Sequence, residues 1–528
     1  MTLSPSPRMP RRTALRSLVV ATAIVAGTLP AYAAASDTPR TADARTYTLT
    51  IHHLGRDGHA SPHYRTRVAG FPTKEADQVL SEEDGASGTT TVRLPQGRYL
   101  LSSMLNSDDY REGTDWVVQP RLDLDRDTTI TFDARTTKPV DVRPPDSSAS
   151  HVSGTMFVAV RHAGVTRDAN VIVATPTLRV AHRGPAAEPG TVKRWYDAYW
   201  NGAKHRYALG DVSTGDRALT GLVRHPAVGD LAELRVRAAA RPGTAGIAPL
   251  SLGPSGEAAG SYLGSMKTPG TVSFLVTPQR GPYDIGYTNP RTEEEGPSSW
   301  YEARKVVGRV GHPVTHTFDN AVFGPVLSDG SGVTRTGDRL TVDVPLLADG
   351  QGHLPFAQPY ATAATTLYRN GARVRTVTGE PGKATFDVPA GRANYRLTST
   401  VRRAGGPGVA TIVTASWTFA SQRTGARAAL PVSVVRFTPS LDTAGTAPAG
   451  KALRVPVAVR GAASQRVRAL EVAYSVNGGA SWQRATVTGG VATIPAQRAG
   501  TGVALRAKLT DTAGNTLTQT ALGAYRTR

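Results

Sequence analysis

The chain has 528 residues, enough for three to five domains of ordinary size. Glycine (54) and proline (37) together exceed one residue in six, which is turn-rich but short of a low-complexity, disordered composition. There is no cysteine, so disulfide frameworks, thiolate metal sites, iron–sulfur clusters and cysteine nucleophiles are excluded. The formal charge is +20.

Residues 1 to 33 read as an export signal. Arg8, Arg11, Arg12 and Arg16 form a basic region, Ser17 to Leu29 an apolar core, and Ala31-Tyr32-Ala33 a small-residue cleavage site. The twin Arg11-Arg12 followed by Leu15 fits a Tat signal, and Sec export fits equally well. Nothing later approaches the length of a membrane span, so no transmembrane anchor is expected and the protein is read as secreted. Loss of the four signal arginines lowers the charge from +20 to +16. The remaining basic residues are scattered and not in runs, which argues against a nucleic-acid partner. Net positive charge favours weak attraction to an anionic cell wall or extracellular polymer.

Helical periodicity is scarce. Short segments alternate apolar and polar residues between Gly, Pro, Asn or Asp: 46–54, 89–94, 128–134, 155–162, 272–277, 340–347, 410–419, 453–459 and 503–510. Residues 231–240 fit a strand or a helix. Asn370-Gly371 and Asn477-Gly478-Gly479 supply the positive φ of tight hairpins. The fold class is all-β, with antiparallel β-sandwich modules in series. The expected modules are a prealbumin or carboxypeptidase-regulatory-like sandwich over 46–142, a β-rich middle over 148–355, a sandwich over 356–421 and an Ig- or fibronectin-like sandwich over 430–528. Linkers are expected at 143–150 and 421–429.

Several segments carry a family resemblance through their order: VRLPQGRYLL (92–101), 117–135, AVFGP with RTGDRLTVDVPLLADGQGH (321–353), TLYRNG, ANYRLTS, SWTFAS, LPVSVVRFTP and 509–525. Across 46–528 the chain resembles the region after the catalytic domain of large secreted actinobacterial subtilisin-like serine peptidases. The family's catalytic frames, Asp-Ser/Thr-Gly, His-Gly-Thr-His and Gly-Thr-Ser-Met-Ala, are missing. Asp211-Val-Ser-Thr-Gly, His162-Ala-Gly and Ser153-Gly-Thr-Met156 do not supply them. The resemblance implies a tail without its enzyme, and no cofactor.

Four local groupings are candidates for chemistry. His52, His53, His59 and His63 are imidazoles within twelve residues, although His52 and His53 point to opposite strand faces. His312 and His316 share a face without an evident carboxylate. Asp123, Asp125 and Asp127 begin like a calcium loop, but Thr128 and Ala134 stand where its Gly and Glu belong. Trp195, Tyr196, Tyr199 and Trp200 place four of the chain's aromatic rings within six positions. Exposed, they would stack on sugars or anchor a peptide; buried, they would be core. They are the binding-site candidates.

Ser475-x-Asn477-x-Gly479-x-Ser481-Trp482 resembles an Asp-box hairpin, which implies a turn. Asp108, Asp109, Glu112 and Glu293 to Glu295 are loop acids. The expected function is that of a secreted, non-catalytic binding or accessory protein. Alternatives are a partner or modulator of a secreted subtilase, and a hydrolase with a carboxylate site in the middle region.

Overall fold

The computed structural model describes residues 45–71, 78–81, 87–106, 113–239, 246–256, 261–289, 299–328, 330–357, 359–403 and 411–528. The expected export signal lies outside them, as do Asp108, Asp109, Glu112 and Glu293 to Glu295. Among the described residues there is no α-helix, and the strands form multiple, mostly antiparallel sheets. The fold is a series of β-sandwiches. Residues 231–240 resolve as strand Ala232–Ala238, with Leu234 and Val236 buried on one face.

Sheet A has three strands, Thr89–Pro95, Thr46–Leu54 and Thr128–Asp133. It packs on sheet B, whose seven strands include Tyr64–Gly70, Gly97–Asn106, Thr114–Leu124 and Lys138–Val142. Sheet B continues past residue 142, taking strands Leu178–His182 and Leu222–Arg224 from the next segment. The first module therefore does not close at 142, because later strands pair with Lys138–Val142 instead of leaving its edge groups unpaired.

Sheet B is covered on both faces. Tyr99, Leu101 and Val117 pack on Leu49, Ile51 and Phe132 of sheet A. Leu100, Trp116 and Val118 pack on Met156, Val158 and Val192, of strands Ser150–His162 and Val192–Asn201 in a further sheet, C. That double coverage explains why Asp115 through Pro120 are all buried where a one-sided strand would alternate. The buried Asp115 carboxylate is compensated: Arg179 holds both its oxygens, at 2.7 and 2.8 Å, and Arg56 and Thr137 also donate to it.

Sheet C joins what the sequence divides into separate parts. Strands Ser150–His162, Val192–Asn201 and Arg206–Gly215 continue through a parallel pairing, Arg206 to Phe274 and Ala208 to Val276, into Gly270–Val276, Ala232–Ala238 and Val314–Phe318. That second half packs on the five-stranded sheet D, which contains Gly246–Pro254, Tyr283–Asn289, Ser299–Val306 and Leu354–Ala357.

The expected division between 356–421 and 430–528 is not a division of sheets. Ile412–Ser421 pairs directly with Thr516–Thr527 in a nine-stranded sheet, Ile412 opposite Leu522 and Trp417 opposite Leu517. The expected linker 421–429 is corrected as well: Thr424–Ala429 is a strand paired with Gly332–Gly337. The Asn370-Gly371 turn is as read, both residues at positive φ (50° and 86°) between paired Arg369 and Ala372.

A chain ending at Ala429 would leave Ile412 to Thr418 as an unpaired edge and strip Trp417 of its Leu517 neighbour. Such a fragment is expected to elute from size-exclusion columns as oligomers or aggregates. A monomeric fragment with cooperative unfolding would contradict the shared sheet.

Candidate functional site

Trp195, Tyr196, Tyr199 and Trp200 lie on the central strand Val192–Asn201, flanked on both sides and covered on both faces. All four are buried, and Trp195, the most exposed, retains only 8%. Tyr196 and Trp200 fill the core against sheet B, Tyr199 the core against sheet D. Trp195 stacks on Phe157, centroids 5.0 Å apart and planes 3° apart, with the Lys193 ammonium 5.1 Å from its ring. The aromatic cluster is core, the buried one of the two alternatives, and these binding-site candidates form no exposed stacking platform. At these positions both faces of the strand are packed, so no ring is displayed to solvent.

The histidine group divides as its strand alternation demands. His53 is buried, with Nε2 2.7 Å from the Thr66 hydroxyl and Nδ1 3.1 Å from the Gly88 carbonyl, and its ring stacked at 3.6 Å on Tyr64. Burial pushes its imidazole down to about 4, helped by His52. His52 bonds Thr89 instead. Asp123, Asp125 and Asp127 separate to different partners: Asp123 takes Arg98 and Arg121, and Asp127 accepts from the Thr48 N–H. No group of three or more His, Asp or Glu among the described residues could hold a metal ion. At the Asp-box-like turn, Asn477 accepts from the Ser481 N–H and Ser475 from the Gly479 N–H. That is a hairpin clasp.

The site that the structure assembles lies elsewhere, at the open edge between sheets C and D. A groove of about 680 Å³ is lined by Glu302 and Arg304 of strand Ser299–Val306, His316 of strand Val314–Phe318, and Asn320, Gln351 and His353 from loops. A side-chain chain runs along it: Asp349 to His353 Nδ1 at 2.7 Å, and His353 Nε2 to His316 Nδ1 at 2.9 Å. Asp349 is fully buried and accepts three backbone N–H groups besides, from Gln351, His353 and Asp319. Asp319 in turn accepts from the Asn289 amide and the Tyr301 hydroxyl. Burial and the adjacent His353 push the His316 imidazole down to about 4, so that ring is neutral near pH 7.

Two large aromatic residues stand exposed beside the groove, Trp300 at 41% and Phe356 at 50%. Phe356 is the extra residue of a bulge, since Trp300 pairs with Ala357 and Tyr301 with Pro355. The rings lie 4.8 Å apart, and the Arg304 guanidinium, itself lining the groove, is 5.1 Å from the Phe356 centroid. The indole passes over Gly286, where an added Cβ would meet its Nε1 at 3.1 Å. Glycine is needed there for close approach.

His316 was legible as a candidate, and its carboxylate was not, because His353 and Asp349 reach it only through the fold. Asp349-Gly-Gln-Gly-His353 was the available signal: two glycines in a tight turn, one at φ 86°, bring the acid back onto the imidazole. Trp300 and Phe356 carry no mutual sequence signal, being partners across a sheet.

No protein-family model matches the chain, and no curated protein matches it. Among solved structures, it is similar to immunoglobulin domains 1–5 of Sidekick-1, with 8% identity, 90% of this chain and 97% of that one covered, and a TM-score of 0.12. It is also similar to the TIE protein of Bacillus anthracis (11% identity, 73% and 74% covered, TM-score 0.13). A third likeness is to Escherichia coli alpha-2-macroglobulin activated by porcine elastase (10%, 92% and 53%, 0.14). Likenesses this slight carry no argument about the site.

His53 makes stability depend on pH. The unfolded ring takes a proton below 6.5 and the folded ring only below about 4, so between those values the unfolded chain binds more protons. Stability is complete above 6.5 and falls toward 4, by on the order of 3 kcal/mol at ~1.4 kcal/mol per pH unit. Urea midpoints measured across that range are expected to rise with pH, and to rise less steeply in His53→Phe; an unchanged slope in that variant would contradict the assignment.

Proposed function

We propose that this chain is a secreted, non-catalytic recognition protein that binds an extracellular polymer or protein partner through the groove and its aromatic rim. The observation that carries the reading is the exposed Trp300–Phe356 pair joined through Arg304 to a groove with ordered polar walls. Exposed aromatic pairs of this kind are costly to leave in water and are enriched where proteins bind. The rigid sheets behind them hold the geometry without ligand, which lowers the ordering cost of binding.

The non-catalytic part is supported by the chemistry of the imidazole chain. A general base works best with a pKa near the operating pH, and His316 is held well below it. Among the described residues neither imidazole is hydrogen-bonded to a hydroxyl, and the chain has no thiol, so no activated nucleophile accompanies them. Secretion rests on the basic and apolar pattern of residues 1–33. No helix among the described residues is long and apolar enough to cross a membrane. The resemblance to a subtilase tail makes a secreted protease one of the partners to look for.

The purified chain without residues 1–33 is expected to hydrolyse nothing in a broad panel of peptide and glycan substrates. It should be retained at high salt by cell walls or by a component of the culture supernatant. The double variant Trp300→Ala with Phe356→Ala should lose that retention while keeping its far-UV spectrum. Turnover that survives repurification and disappears in Asp349→Asn would overturn the proposal.

A further inference from the structure

We infer that the groove and its aromatic rim bind a neutral carbohydrate chain, with Trp300 carrying a sugar ring and His316 Nε2 accepting a hydrogen bond from one of its hydroxyls. This rests on recognition taking place at the groove, and names the class of ligand.

The polarity of the side-chain chain is set at its buried end. Four N–H groups converge on Asp349, three from the backbone and one from His353 Nδ1, so the carboxylate acts as acceptor throughout. With its Nδ1–H donating to Asp349, an uncharged His353 has Nε2 as an acceptor, to which His316 Nδ1 donates. His316 Nε2 is then left as a lone-pair acceptor on the ring that lines the groove. Asn320 also lines the groove, and its side-chain oxygen is buried with no hydrogen-bond partner. Gln351 supplies a donor, because its Oε1 is fixed by the Thr317 N–H at 2.8 Å and its Nε2 therefore remains for other partners.

Those walls discriminate between ligand classes. Glu302 and Arg304 pair with one another, so the rim offers no unbalanced charge to select a phosphate or carboxylate. A proline-rich peptide would stack on the rings, but with few N–H donors it would leave the His316 acceptor unmatched. A sugar hydroxyl donates and accepts at once, and the C–H face of a pyranose is an apolar surface suited to an exposed indole. The groove volume lies within the range that small ligands occupy.

The test is sedimentation of the chain with insoluble neutral polysaccharides (cellulose, β-1,3-glucan, mannan and chitin) at high salt, followed by fluorescence titration with soluble fragments of whichever retains it. Polygalacturonate and a proline-rich peptide serve as comparators. Retention by at least one neutral polysaccharide is expected. Trp300→Ala should weaken it by about tenfold or more, with Trp300→Tyr recovering much of it. His316→Asn keeps a donor toward His353 but removes the outer acceptor, and should weaken binding by about three- to tenfold. His312→Asn, exposed and outside the groove lining, should have no effect. Trp300-dependent binding of the peptide or polygalacturonate alone would overturn the carbohydrate assignment and leave recognition at the groove standing. Neutral-polysaccharide binding indifferent to both Trp300→Ala and His316→Asn would overturn the site itself, and no retention by any neutral polysaccharide would overturn the inference.

Discussion

Arg436 is a guanidinium buried among carbonyls, and the groove depends on it. It sits on strand Ser433–Phe437 and donates to the Gly324, Pro325 and Asp349 carbonyl oxygens, tying two loops distant in sequence to one strand. Burial draws its proton affinity down, to about 10, yet it stays charged near neutral pH, and its rigid fork fits three carbonyl acceptors at once. The backbone it fixes is the backbone that presents Asn320 and Asp349. Position the Asp349 carboxylate, and the two imidazoles follow in line.

The sheets have a matching logic. Sheet B is enclosed by sheets A and C, sheet C carries strands from two sandwiches, and the nine-stranded sheet unites the last two segments. Residues Thr46 to Arg528 consequently form one compact unit despite their serial construction. For recognition this matters at the C–D edge, where His316 and Trp300 come from different sheets. Their spacing is held by the buried core beneath them and not by a linker.

What the sequence made legible was local. Period-two alternation located strands such as Thr46–Leu54, which coincides with its expected bounds, and Asn370-Gly371 located its hairpin. The same local reading cannot see pairing partners. Thr424–Ala429, mostly exposed and rich in small residues, has the composition of a linker and becomes a strand only because Gly332–Gly337 needs a neighbour. The aromatic cluster at 195–200 is ambiguous for a related reason: even the acid among its rings, Asp197, is buried, against Arg280 at 2.8 Å. The residues that form the groove and its rim are drawn from 300 to 356 and from 438 to 439, and become a set only when two sheet edges meet.

A buried carboxylate sets the direction of the two-imidazole chain, so that His316 offers an acceptor to the groove. The most direct measurement is the imidazole ¹⁵N chemical shifts of His316 and His353 in selectively labelled protein, assigned by difference with His316→Asn, at a pH above the imidazole range. The account predicts protonated Nδ1 and unprotonated Nε2 in both rings. A His316 ring carrying its proton on Nε2 would contradict it, because the groove would then be presented with a donor.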